Sequence, residues 1–115
     1  MSPRAAALQV LAIACIACAC GAVLQAQRSG ARKPVTHTVT IDAATFTPAE
    51  LVVKPGDTIV WVNKDILAHT ATSASGGFDS KVIQPESRWK YLAKKKGEFP
   101  YTCSFHPMNG ILRVR

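Results

Sequence analysis

The sequence predicts an all-β fold, a sandwich of seven or eight short strands. Three observations carry this. From His37 onward, apolar and polar residues alternate with period two. Turn signals such as Pro55-Gly56-Asp57 and Gly76-Gly77 separate the alternating runs. The same region holds no convincing helical period, for its best candidate, "PESRWKYLAKKK", alternates equally well.

The elements follow in order. In "HTVTIDA", Val39 and Ile41 face one way and Thr38 and Thr40 the other. "ELVVKPGDTIVWVN" supplies two strands around Pro55-Gly56-Asp57. Within "TIVWVN", Ile59, Trp61 and Asn63 share one face, and Val60 and Val62 the other. "HTATSAS" comes next, before Gly76-Gly77. "SRWKYLA" is assigned as a strand because its surroundings are β-rich, although Trp89, Leu92 and Ala93 also fall at helical spacing. "FPYTCSF" and "GILRVR" complete the set. Phe46, Trp61, Phe78, Trp89, Phe99 and Tyr101 are expected to be core, and His37 to be exposed.

A length of 115 residues suits one domain, and the formal charge is +7. Hydrophobic content is 48%, much of it in the opening "MSPRAAALQVLAIACIACACGAVLQAQRSG". Arg4 precedes an uncharged run, Ala5 to Leu24, broken only by Gln9. Small-residue sites follow at Ala19-Cys20-Gly21 and before Gln27. Residues 1–26 are therefore expected to be a cleaved export signal, or an N-terminal membrane anchor if uncleaved. A lipoprotein signal ending at Cys15, Cys18 or Cys20 ranks lower, because none follows a Leu-containing lipobox. Residues 27–36 form a basic linker, and residues 37–115 the folded domain. The expected location is periplasmic or otherwise exported.

Three of the four cysteines lie in the export segment, which leaves Cys103 alone in the domain. It has no internal disulfide partner. A lone thiol in an oxidising compartment is oxidised unless buried or ligated. "YTCSFHPMNG" places His106 three residues and Met108 five residues after it, and the loop "NKDILAH" ends in His69. A thiolate, two imidazoles and a thioether form a coherent set for a soft or borderline metal. Two nitrogens and a thiolate in a plane, with a weak axial Met, is the mononuclear blue-copper arrangement. Zinc more often draws four strong ligands. The chain reaches four only by recruiting His37.

These stretches also carry a family resemblance. "FTPAELVVKPGDTIVWVNKDILAHT", "GGFDS" and "KGEFPYTCSFHPMNGILRV" resemble, in order, the motifs of small cupredoxins of the plastocyanin/amicyanin type. The resemblance covers residues 37–115. It implies a Greek-key sandwich binding one copper ion. By position, His69, Cys103 and His106 would be equatorial ligands and Met108 the axial one. Asn63 and Thr70 would tie the two ligand-bearing loops together, and Pro107 would stiffen the second. One departure stands out: only Pro107 separates His106 from Met108, where the family usually has two or more residues. A three-coordinate site, or a weak axial contact from the Ala68 carbonyl, is the alternative to Met108.

The implied function is single-electron transfer between protein redox partners by Cu(I)/Cu(II) cycling, without enzymatic activity and as a monomer. A periplasmic copper carrier or tolerance protein is the alternative, though Met- and His-rich extensions are lacking. A Cys103/His106 nucleophilic pair lacks an evident acidic partner to orient the base. Lys94-Lys95-Lys96 is a solvated turn or a steering patch for an acidic partner. Basic residues interleaved with aromatics are missing, which argues against nucleic acid.

Overall fold

The computed structural model describes residues 32–75 and 77–115. The segment expected to be an export signal or anchor, the first part of the expected linker, Cys15, Cys18, Cys20 and Gly76 lie outside the described residues. The chain divides into Met1–Lys33 and Pro34–Arg115, and the second unit holds every strand described below. Its strands are β1 (Thr36–Asp42), β2 (Thr45–Thr47), β3 (Glu50–Val53), β4 (Thr58–Asn63), β5 (Arg88–Leu92), β6 (Gly97–Thr102) and β7 (Asn109–Val114). No helix occurs among the described residues.

The strands form two mixed sheets, ordered β2-β1-β4-β5 and β3-β7-β6. β1 runs parallel to β4 and β3 parallel to β7; the other pairs are antiparallel. The chain changes sheet between β2 and β3, β3 and β4, and β5 and β6, interlocking the layers as a Greek key does. The all-β sandwich expected from the alternation is the fold observed.

Alternation sets the core. Val39 and Ile41 of β1 are fully buried between exposed or half-buried neighbours. β4 is central in its sheet and buried on both faces, so Val60 and Val62 are enclosed along with Ile59, Trp61 and Asn63. Phe46, Phe78, Phe99 and Tyr101 join the same cluster, with Trp89 packed against it. Trp61 sits at its centre, with ring centroids 5.2 Å from Phe78, 5.4 Å from Trp89 and 5.5 Å from Tyr101.

His37 departs from expectation, being half-buried rather than exposed. Its Nε2 lies 3.0 Å from Asp57 Oδ2. Asp57 is buried at 2% exposure and also accepts from the Val35 and Lys54 N–H groups. A buried carboxylate needs such donors, and the His37 ring is one of them. The segment after β4 pairs only through isolated bridges, including Thr72 with Thr102 and His69 with Ile83.

Strand direction fixes the two ends of the sandwich. β4 and β6 finish at one end, where β5 and β7 begin. The long β4–β5 connection and the short β6–β7 connection therefore meet there. The opposite end holds the β3–β4 and β5–β6 turns and the entry to β1.

Candidate metal centre

The β6 strand stops at Thr102, and Cys103 begins the turn that returns the chain as β7. His69 lies on the β4–β5 connection, held by reciprocal backbone hydrogen bonds with Ile83 of 3.2 and 2.7 Å. These loops bring the three strongest predicted donors together. One donor atom each from His69, Cys103 and His106 falls within a 4.8 Å group. Cys103 Sγ is 3.7 Å from His69 Nδ1 and 3.9 Å from His106 Nδ1. His69 and Cys103 are buried, at 0% and 6% exposure, and His106 is half-buried.

The donor atoms are prepared for a cation. The Asp65 carboxylate lies 2.8 Å from His69 Nε2 and can only accept, so Nε2 carries the proton. The Nδ1 lone pair then faces the sulfur. Asp65 is itself fixed by the Ala44 N–H at 3.0 Å. That N–H, then the His69 ring, hold its carboxyl down at about 2, against partial desolvation. At Cys103, burial pushes the thiol up, but the N–H groups of Thr70 and Phe105 and the two imidazoles outweigh it and draw it down to about 6. Both N–H groups lie 3.4 Å from Sγ. A thiolate supported this way is a ready soft-metal ligand.

Met108 is buried at 3% exposure. Its N–H donates to the His106 carbonyl at 2.8 Å. A tight turn over Pro107 thus joins it to His106, and its side chain belongs to the same core cluster as Cys103.

Thr70 ties the loops as expected. Its Oγ1 accepts the Ser104 N–H at 2.9 Å, and its N–H points at Cys103 Sγ. Asn63 acts differently. It donates to the Leu67 and Ile83 carbonyls and accepts the Asp65 N–H, all within the β4–β5 connection. It braces the His69 loop alone, because β4 ends there and its buried amide reaches only that loop. Asp65 is the functional residue that the sequence reading missed. Its signal was an acid four positions before a loop histidine.

The geometry is that of a known family. Residues 10–114 match the model of the cupredoxin-like domain. The chain belongs to the cupredoxin-like family. A methylamine utilization protein MauL from Methylophilus methylotrophus is 27% identical over 108 residues. That match takes in 90% of this cupredoxin and 62% of MauL, so the chain spans less than two thirds of that relative. A copper-containing nitrite reductase from Thermus scotoductus SA-01 aligns with TM-score 0.67 and 29% identity, over 74% of this chain and 23% of the reductase. A mutant of amicyanin in its reduced state aligns with TM-score 0.65 and 27% identity, covering 70% of this chain and 82% of amicyanin.

Proposed function

We propose that this cupredoxin is an exported mononuclear type 1 copper protein that carries single electrons between protein partners. The observation behind this is the clustering of one supported, buried thiolate with a buried and a half-buried imidazole from two separate loops. The donor chemistry fits copper better than zinc, since a fourth strong ligand is lacking among the described residues at the site. His69, Cys103 and His106 would hold the ion, with Met108 as the proposed fourth, weaker ligand. Bound copper would supply a one-electron Cu(I)/Cu(II) couple.

The protein's own part is rigidity and access. Asp65 fixes the His69 ring, Thr70 locks one loop to the other, and Pro107 stiffens the turn. Donors held by such ties move little when the charge at the site changes. His106 reaches the surface, with exposed Phe105 beside it on the same loop. Ile66 and Leu67, also exposed, lie on the connection that carries His69. A partner docking on these apolar side chains would meet the His106 edge.

The optical and EPR spectra of the copper-loaded protein test the proposal. An intense thiolate-to-copper band is expected, together with a reversible one-electron couple. Cys103→Ser should abolish the band, and Met108→Ala should keep copper while shifting the potential. Copper binding without band or couple would sink the reading.

A further inference from the structure

The end of the fold remote from His69, Cys103 and His106 has a chemistry of its own. Lys54 stands in the β3–β4 turn, Lys94, Lys95 and Lys96 in the β5–β6 turn, and Arg115 follows β7; all are exposed. Backbone bonds hold these segments together: Gly56 N–H to the Ala93 carbonyl at 2.6 Å, and Arg115 N–H to the Val53 carbonyl at 2.9 Å. The acids at this end are engaged. Asp57 is buried and accepts from Val35, Lys54 and His37. Glu98, near the start of β6, accepts from Arg113 Nε at 3.2 Å. Two aliphatic side chains are exposed beside the cations, Val35 at 44% and Leu92 at 47%. Both flank Thr58, Leu92 opposite it in register and Val35 accepting its N–H.

We propose that this end is a docking face for an anionic phospholipid bilayer. Lysines around exposed aliphatic groups suit the boundary between headgroups and acyl chains. An acidic protein would also be drawn to the lysines, but the chain with its N-terminal segment uncleaved favours lipid. It enters the folded unit at this end, at Val35, whose N–H and carbonyl are bound to Asp57 and Thr58. Upstream in sequence lie the basic "QRSGARK" and the uncharged Ala5–Leu24 run. Docking here leaves the ligand loops at the far end, turned from the bilayer toward soluble partners. It also gives Lys94-Lys95-Lys96 a role remote from the redox partner's approach.

Partitioning of the full chain onto vesicles tests this. Phosphatidylcholine vesicles report what the apolar segment contributes alone. Equimolar phosphatidylcholine–phosphatidylglycerol vesicles add the electrostatic part. A phosphatidylglycerol-dependent excess is expected, screened away at high salt. Replacing Lys94, Lys95 and Lys96 together by Gln should lower that excess on the order of a hundredfold, roughly fivefold for each cation. An equal charge change at the other end, by Lys64→Gln, Lys81→Gln and Arg88→Gln, should leave most of it intact. The proposal is overturned by no excess on anionic vesicles, or by equal losses in both variants. It is also overturned if the three lysines govern retention on an acidic protein while vesicle binding is unchanged.

Discussion

Asp65 shows how one side chain can set the character of the centre. Its carboxylate holds the His69 ring by Nε2, so Nδ1 is left as the available donor. Replacing it by Asn leaves an amide whose NH2 can turn toward the ring and favour the other tautomer. Asp65→Asn should weaken copper binding roughly 10- to 100-fold, read by competition with a chelator. An unchanged affinity would mean that His69 is oriented by its backbone bridge to Ile83 alone. Tyr101 makes a second prediction, for alkaline pH. Burial pushes its hydroxyl up to about 12 from an ordinary 10.0. The Trp61 indole N–H pulls weakly the other way, but its geometry falls short of a hydrogen bond and it stays unsatisfied among the described residues. The unfolded chain thus loses this proton first. Tyr101's contribution is complete below pH 10 and is lost as pH rises to 12, on the order of 2 kcal/mol. Urea melts across that window should show the fall, and Tyr101→Phe should remove it.

At the level of elements, the antiparallel pairing of β6 with β7 is what seats the ligand turn. Tyr101 and Gly110 are partners in this ladder, one strand residue in from the turn. A Cβ on Gly110 would press into the Tyr101 ring and sit 2.6 Å from its hydroxyl oxygen. Tyr101 is buried against Phe46 and Trp61, so it has little room to yield. Gly110→Ala should therefore cost about 1–3 kcal/mol in urea unfolding. A neutral result would show that the ring can slide aside. Legibility in the sequence follows the same physics. β1 was visible because one face is buried and Val39 and Ile41 mark it. The turn at Gly56 was visible because its φ of 96° favours glycine. β2 was not, since three residues with one buried Phe46 carry no period. The parallel pairing of β1 with β4 was hidden too, because alternation reports faces and not neighbours. Cys103 and His106 were legible as a local cluster, and His69 through its place after the Trp61–Asn63 strand. Asp65 was not, because its role depends on a loop that folds back within reach of Nε2.

For the whole molecule, the metal centre is also a junction between layers. His69 hangs from β4 of the four-stranded sheet, and Cys103 and His106 follow β6 of the three-stranded one. The protein links these loops by the Thr72–Thr102 bridge and by Thr70 with Ser104. A copper ion held by all three donors would add a strong link at this end, across a long separation in sequence. Unfolding must break that link, because the unfolded chain does not hold the donors together. Copper at about 100 times its dissociation constant should add about 2.7 kcal/mol to the folded state. For a folded unit of this size that is a rise in Tm of about 10–20 °C, read by thermal unfolding of the full chain with and without copper. Cys103→Ser should lose most of the rise, since the thiolate is the strongest donor. A rise that survived in Cys103→Ser would place the stabilising ion elsewhere on the protein.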